Sequence, residues 1–214
     1  MSSPKSTQVI VVRHGETVWN AVGRQQGQLD TALSDLGQAQ ARAVAEALAG
    51  AGIDVLYSSD LGRALQTAAV IAERLGLQAR PEARLRERHL GILQGLTMEE
   101  FRQRHPAEHA AFQQQDIDWA IPGGESIRQR HERSVAGAAE LAERHAGQAV
   151  AIVTHGGVLE SLMRHALGLR PDTPRRFSLF NAGINTFTVT AGQWRLERWG
   201  DTTHLRDLGT KDDW

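Results

Sequence analysis

The sequence predicts an α/β fold, a three-layer α/β/α sandwich around a central, mostly parallel sheet. Three short apolar runs have the length of buried strands, and each is followed by a stretch with apolar residues at helical spacing. Strands that alternate with helices pair in parallel within one sheet, so the three runs are expected side by side. A chain of 214 residues has the size of one domain. We therefore expect a single domain over residues 1–214, with residues 1–7 disordered.

Five strands and four helices follow from this pattern. Ser34 is suited to cap the N-terminus of the first long helix, and Gly76 to end the second. The last two strands flank Ala191 and Gly192, a turn that is typical of an antiparallel pair. The predicted strands are residues 8–12, 54–57, 149–153, 184–189 and 194–198, and the predicted helices are residues 35–48, 61–75, 126–145 and 158–167.

The stretch between residues 80 and 124 is less regular than the rest and richer in charge. We expect residues 88–125 to form a small cap-like insertion, and we interpret the arginine-rich residues 80–88 as a solvated face. The sequence alone assigns no role to segment 97–121 or to the polar tail that begins at Asp201.

Composition excludes several classes of protein. The formal net charge is −1, so no basic field attracts nucleic acid or an anionic membrane surface. The absence of cysteine excludes disulfides, a cysteine nucleophile and thiolate metal sites. No segment approaches the roughly 18 apolar residues of a membrane span, and the first residues lack the apolar core of a signal peptide. We expect a cytoplasmic protein without nucleic-acid or membrane partners; its oligomeric state stays open, with a homodimer as one option.

Two of the predicted strands end in the same way, in a histidine followed by a glycine. Arg13, His14 and Gly15 follow the first strand, and His155 and Gly156 follow the third long one. The carboxyl ends of parallel strands lie at one edge of the sheet, where ligands bind. We therefore expect the two histidines to meet at that edge, with the glycines letting the backbone approach a ligand.

A third strand end adds another cation to this edge, because Arg63 lies one turn into the helix that follows Ser58-Ser59-Asp60. Transfer of a phosphoryl group needs arginine forks on its oxygens and a nucleophile aligned with the leaving group. Arg13 and Arg63 are suited to be the forks. The residues alone leave open whether His14 or His155 attacks, and whether Arg63 only covers the edge of the sheet with its stem.

A series of short motifs runs through the chain in a fixed order. They are Arg13-His14-Gly15-Glu16-Thr17, Trp19-Asn20, Gly27-Gln28-Leu29-Asp30, Leu33-Ser34-Asp35-Leu36-Gly37, Ser58-Ser59-Asp60-Leu61, Arg63-Ala64, Leu85-Arg86-Glu87, Pro122-Gly123-Gly124-Glu125-Ser126 and Thr154-His155-Gly156-Gly157. Together, over about residues 9–189, they resemble the phosphoglycerate-mutase-like branch of the histidine phosphatase superfamily. The resemblance implies a phosphoglycerate-mutase-like fold and a single histidine-phosphatase domain.

The resemblance also implies a role for each matched residue. His14 corresponds to the nucleophile that takes the phosphoryl group as a phosphohistidine, and Glu87 to the acid that protonates the leaving oxygen and then activates water. This chemistry needs no metal and no cofactor, since arginines supply the charge that Mg²⁺ supplies elsewhere. The remaining residues of the implied site are Arg13, Arg63 and His155 in the phosphate pocket, and Asn20, Gln26, Gly27 and Gly156 in the substrate-binding lining.

The superfamily contains both phosphatases and mutases, so the fold does not decide the reaction. The segment from Glu87 to Leu96 is close to the mutase version, but Leu90 and Met98 replace a tyrosine and a lysine that help to hold phosphoglycerate. Residues 97–121 are also shorter than the mutase insertion and lack its paired arginine. We therefore favour a phosphatase, a phosphoric monoester hydrolase acting on a small anionic phosphate of the sugar or glycerate type. The alternatives are a cofactor-dependent phosphoglycerate mutase and a catalytically inactive phosphate-binding domain.

One rival motif points to a different chemistry. His105-Pro106-Ala107-Glu108-His109 matches the H-x-x-E-H pattern of a class of zinc peptidases. Proline is tolerated only in the first turn of a helix, the flanking residues are polar, and no third ligand is evident. We interpret the match as accidental and predict no metal site.

Overall fold

The computed structural model describes residues 5–212, which form a six-stranded sheet with helices on both faces. The strands are β1 Ser6–Arg13, β2 Val55–Ser58, β3 Ala79–Pro81, β4 Ala149–Thr154, β5 Ile184–Thr190 and β6 Gln193–Asp201. The α-helices are α1 Val18–Ala21, α2 Asp35–Leu48, α3 Gly62–Leu75, α4 Met98–Arg104, α5 Pro106–Gln113, α6 Ile127–Arg144 and α7 Gly156–Ala166. Short 3-10 helices cover Ala83–Leu85, Gly91–Leu93 and Thr203–Leu205.

The strand order is β3-β2-β4-β1-β5-β6, and the first four strands are parallel. Strands β5 and β6 complete the sheet as antiparallel neighbours. The register pairs Arg13 with Thr154, so β1 and β4 end side by side. The predicted α/β sandwich with a mostly parallel sheet is confirmed.

Alternation along β1 divides the core into two layers. Val9 and Val11 face the apolar sides of α6 and α7, whereas Ile10 and Val12 face α2 and α3. Successive side chains of a strand point to opposite faces, so a central strand covered on both faces must be apolar throughout. This burial anchors β1, and with it the loop that follows Arg13.

Several local predictions match closely. Helix α2 runs over the predicted residues, with the Ser34 hydroxyl accepting from the Gly37 N–H, and Gly76 ends α3 with a φ of 66°. Helix α7 begins at Gly156, two residues earlier than predicted, because His155 takes the N-cap position directly after β4. Strand β6 continues to Asp201, three residues beyond its predicted end.

The predicted disorder of residues 1–7 is wrong at Ser6 and Thr7, which belong to β1. The Ser6 hydroxyl lies 2.7 Å from that of Thr190 on β5, and the Thr7 hydroxyl donates to the Ala142 carbonyl at 2.7 Å. Pairing with β5 thus orders polar residues that the pattern places outside the strand. Residues 1–4 lie outside the described residues.

The segment predicted as a cap contains α4 and α5 around a small apolar core of its own, made by Leu93, Phe101 and Ile121. An ion pair of 2.7 Å between Arg24 and Glu100 joins α4 to the loop after α1. The sequence pattern is irregular here because both helices are short and Pro106 begins the second one.

Candidate active site

The loop after β1 is held from two sides of the sheet. The His14 N–H donates to the Thr154 carbonyl at 2.9 Å, and the Asn181 side chain donates to the His14 carbonyl at 3.1 Å. The Ala182 N–H donates to the carbonyls of both Arg13 and His14. These bonds fix the backbone of His14, whose ring lies beside Arg63 and the ring of His155.

The contacts of the His14 ring define its protonation. Its Nδ1 lies 2.8 Å from the Gly15 carbonyl, which only accepts, so Nδ1 carries the proton. Arg63 Nε donates to Nε2 at 3.3 Å, which requires a lone pair there. Burial, followed by the charges of Arg63 and Arg13, holds the pKa of His14 well below its ordinary value. The ring is therefore neutral at pH 7, with its lone pair on Nε2.

Arg63 enters the site from the first turn of α3 and is almost completely buried. Its Nη atoms donate to the Gly27 carbonyl at 2.7 Å and to the Leu29 carbonyl at 2.9 Å. Burial lowers the pKa of Arg63 to about 10, which still leaves it protonated at neutral pH. Arg63 thus contacts the His14 ring directly, and the alternative that it only covers the sheet edge is wrong.

Arg13, at the end of β1, is also buried, and its Nη1 donates to the Leu179 carbonyl. A methyl group added at Gly156 would lie 3.7 Å from the centre of the Arg13 guanidinium. The first residue of α7 therefore lies in contact range of this arginine. Arg13 and Arg63 both act electrostatically on His14.

His155 faces His14 across the site, with a distance of 5.2 Å between the ring centres. Its Nε2 lies 2.8 Å from the Ser59 hydroxyl, whose oxygen also accepts from the Leu61 N–H at 3.3 Å. The hydroxyl can donate to Nε2 or accept from it, and only the first arrangement leaves the proton of a neutral His155 on Nδ1. Within the described residues Nδ1 is buried and has no partner. Burial, Arg63 and His14 hold the pKa of His155 well below its ordinary value.

Glu87 follows the 3-10 helix Ala83–Leu85 and lies half-buried beside the N-terminus of α7. One carboxylate oxygen accepts from the Gly157 N–H at 2.9 Å and the other from the Arg88 N–H at 2.7 Å. A methyl group at Gly157 would lie only 2.2 Å from Glu87 Oε1. The second glycine after His155 therefore makes room for the carboxylate.

The predicted lining residues have different surroundings. The Asn20 side chain accepts from the Thr17 N–H at 3.1 Å and closes the capping box of α1. Gln26 is buried, and within residues 5–212 its Oε1 has no hydrogen-bond partner. Gly27 has a φ of 55° and holds Arg63 through its carbonyl. The substrate-binding roles of these residues stay predictions.

The glycine after His14 has a different task from the one expected. A methyl group on Gly15 would lie 2.5 Å from the Gly37 carbonyl oxygen, and one on Gly37 would lie 1.9 Å from the Glu16 carbonyl oxygen. These glycines let the loop after β1 pack against the first turn of α2. At Gly15, close approach to a helix replaces the expected approach to a ligand.

Ser59 is a residue of this site to which the sequence analysis assigned no role. Its signal was present in the motif Ser58-Ser59-Asp60 at the end of β2, but a hydroxyl there has many uses. The solvated face expected for residues 80–88 is also wrong at Arg88, which is buried and donates to the Glu125 carbonyl at 2.7 Å.

The rival metal motif is divided between two elements. His105 lies between α4 and α5, and Pro106 is the first residue of α5. The rings of His105 and His109 both pack 5.9 Å from the Phe101 ring centre. Over residues 5–212, no group of three or more histidine, aspartate and glutamate side chains is arranged to hold a metal ion. Within the same range, no helix has both the length and the apolar character required to cross a bilayer.

The family model described as histidine phosphatase superfamily (branch 1) matches residues 9–202. Phosphoglycerate mutase-like protein 4 of Arabidopsis thaliana is 40% identical over 94% of this chain and 88% of its own length. A metal-independent phosphoserine phosphatase of the same plant is 39% identical over 95% of this chain and 85% of its own length. A mycobacterial glucosyl-3-phosphoglycerate phosphatase, solved with VO3, superposes with a TM-score of 0.79 at 37% identity, covering 91% of this chain and 99% of that structure.

Proposed function

The chain belongs to the histidine phosphatase superfamily (branch 1), and we propose that it hydrolyses a small anionic phosphomonoester, without a metal, through a phosphohistidine at His14. The observation that carries this proposal is the His14 ring itself. Its Nδ1 is engaged by the Gly15 carbonyl, while its Nε2 lone pair meets the buried Arg63. A neutral histidine between two arginines is prepared to attack a phosphate dianion.

In the first half-reaction, Nε2 of His14 attacks the phosphorus atom and the bond from phosphorus to the ester oxygen breaks. Arg13, Arg63 and the Nδ1–H of His155 stabilise the charge on the three other oxygens. Glu87 enters this step protonated and gives its proton to the leaving oxygen, because an alkoxide leaves poorly without one. The products are a phosphohistidine, an alcohol and the Glu87 carboxylate.

In the second half-reaction, the Glu87 carboxylate takes a proton from water, and the water oxygen attacks the phosphohistidine. The bond from phosphorus to Nε2 breaks, inorganic phosphate leaves, and the lone pair returns to Nε2. The Gly157 and Arg88 N–H groups hold the carboxylate in place for both steps. Each group thus returns to its starting state.

Two side chains support hydrolysis over transfer within phosphoglycerate. Leu90 and Met98, which replace the tyrosine and lysine of the mutase version, pack against the small core of the cap segment. They supply apolar surface where a mutase needs polar groups to hold its substrate. The mutase remains the second candidate, because several relatives carry mutase or mutase-like names. The inactive binding domain is disfavoured, since all five catalytic side chains are present.

The remaining expectations concern the type of substrate, the location of the protein and its oligomeric state. We propose a small-molecule phosphate ester of the sugar or glycerate type as substrate, and a cytoplasmic location. A homodimer stays a prediction.

Phosphate release from an aryl phosphate in EDTA tests the proposal. We expect wild type to be active and His14→Ala to fall to the uncatalysed background. His109→Ala, which removes a histidine beside Phe101 in the cap, is the matched control and keeps its rate. Wild type should also trap radiolabelled phosphate in an acid-labile, base-stable adduct. Release that requires metal, or that survives in His14→Ala, would contradict the proposal, and isomerisation of 3-phosphoglycerate in a primed assay would favour the mutase.

A further inference from the structure

Arg130, on the second turn of α6, is a buried cation beside the proton donor of the proposed reaction. Its side chain is only 7% exposed. A methyl group at Gly157 would lie 2.7 Å from Arg130 Nη1 and 2.2 Å from Glu87 Oε1. The two side chains therefore converge on the space that a side chain at residue 157 would fill. Residue 157 lies two positions after His155, beside the carboxyl group that serves as proton donor in the proposed reaction.

The charges around Arg130 do not balance. Arg130 and Arg164 share a single carboxylate, that of Glu160, at 3.2 Å and 2.8 Å. Within the described residues, Arg130 Nε is buried and has no hydrogen-bond acceptor. The guanidinium of the neighbouring Arg88 donates to the backbone carbonyls of Glu125 and Trp119, and burial, with the charge of Arg130, lowers its pKa to about 10. Glu125 also acts on Arg88 but is paired with Arg133 at 2.8 Å. Apart from that pair, three arginines face the two carboxylates of Glu160 and Glu87, and a buried cation without a full counter-charge is costly.

We propose that Arg130 binds a carboxylate carried by the leaving alcohol of the substrate. The inference rests on the proposed function, in which Glu87 faces the leaving oxygen. A carboxylate one or two carbons from that oxygen lies within reach of a guanidinium that converges on Glu87. The planar fork of arginine matches a carboxylate, and the ligand supplies the missing negative charge. The substrate class is thus a phosphate ester of a small hydroxy acid.

Pairs of substrates that differ only in the carboxylate test this inference. O-phosphoserine is compared with O-phosphoethanolamine, and 3-phosphoglycerate with glycerol 3-phosphate, by kcat/KM. We expect wild type to prefer the carboxylated member by about tenfold or more, as for a hydrogen bond between charged groups. In Arg130→Met the ratio should fall to about one, while Arg130→Lys should keep part of it. Comparing kcat/KM for fructose 1,6-bisphosphate with that for fructose 6-phosphate tests whether Arg130 binds a second phosphate instead of a carboxylate.

Arg164→Met is the matched control, because it removes the other arginine from Glu160. It should keep the wild-type ratio in both substrate pairs. Arg130→Met/Glu160→Gln removes both charges together, so that an unpaired Glu160 does not prevent folding. Aryl phosphate turnover measures any general loss in each variant.

Equal kcat/KM for the two members of each pair in wild type would overturn the inference. So would a wild-type ratio retained in Arg130→Met, or a preference for the second phosphate alone. None of these outcomes contradicts the proposed function, because aryl phosphate is still hydrolysed. If wild type releases phosphate from no ester at all, the proposed function fails instead.

Discussion

Replacing Ser59 with alanine tests whether one hydroxyl sets the protonation of the second histidine. The Ser59 oxygen accepts from the Leu61 N–H at 3.3 Å and lies 2.8 Å from His155 Nε2, to which the hydroxyl donates in the proposed mechanism. Losing this bond removes about 1 kcal/mol of preference for the tautomer with its proton on Nδ1, about a fivefold change in the tautomer ratio. Only that tautomer donates from Nδ1 to a phosphoryl oxygen. We therefore expect kcat to fall about threefold to tenfold, and KM to change less.

Single-turnover phosphorylation by an aryl phosphate measures this loss, and ¹⁵N spectra of labelled histidine report which ring nitrogen carries the proton. Ser58→Ala is the matched control, since its hydroxyl is equally buried but donates to the Ser59 carbonyl at 2.8 Å. Both variants should unfold at a lower temperature, whereas only Ser59→Ala should lose rate. Equal rates in the two variants, or a wild-type His155 protonated on Nε2, would refute the reasoning.

Three further predictions concern the same site. Glu87→Gln should slow alkyl phosphates far more than aryl phosphates, whose leaving groups need no proton; equal slowing in steady-state assays would remove Glu87 as the acid. Gly37→Ala places a methyl 1.9 Å from the Glu16 carbonyl oxygen and should cost about 1–3 kcal/mol in urea unfolding, whereas Gly50→Ala, with open space around it, should cost nothing measurable. Burial holds the pKa of His14 well below 6.5. Below pH 6.5 the unfolded chain therefore binds a proton that the folded chain does not, and the free energy of unfolding falls as the pH drops further. In His14→Ala this decline should be shallower by up to about 1.4 kcal/mol per pH unit, and an unchanged slope would count against a neutral His14.

The parts of the fold that depend on neighbouring residues in the chain could be predicted from the sequence. Ser34 and Gly76 bound their helices because capping involves residues a few positions away. The meeting of His14 and His155 followed from parallel strands that end at one edge. Helices α4 and α5 could not be predicted in this way, because packing around Phe101, and not a long amphipathic pattern, holds them in place.

The chemistry of the site depends on contacts between distant residues. Which nitrogen of His14 keeps a lone pair is set by Arg63 and by a backbone carbonyl, and neither contact is visible in a motif. Arg130 belongs to a largely polar helix, where a sequence pattern places arginine in solvent. Its burial follows from the missing side chain at Gly157, in another helix.

The way Arg63 is anchored explains how a histidine beside it can remain neutral, as the proposed mechanism requires. Two backbone carbonyls, of Gly27 and Leu29, orient its guanidinium without neutralising it. Asp30, the carboxylate paired with it at 3.4 Å, is 46% exposed, so water screens that charge. Glu87 raises the pKa of Arg63 more than Asp30 does, but its carboxylate is held by the Gly157 and Arg88 N–H groups. The positive field therefore persists at His14, where it lowers the pKa of the ring and attracts a phosphate dianion. A buried carboxylate on Arg63 would hold the same geometry but cancel both effects.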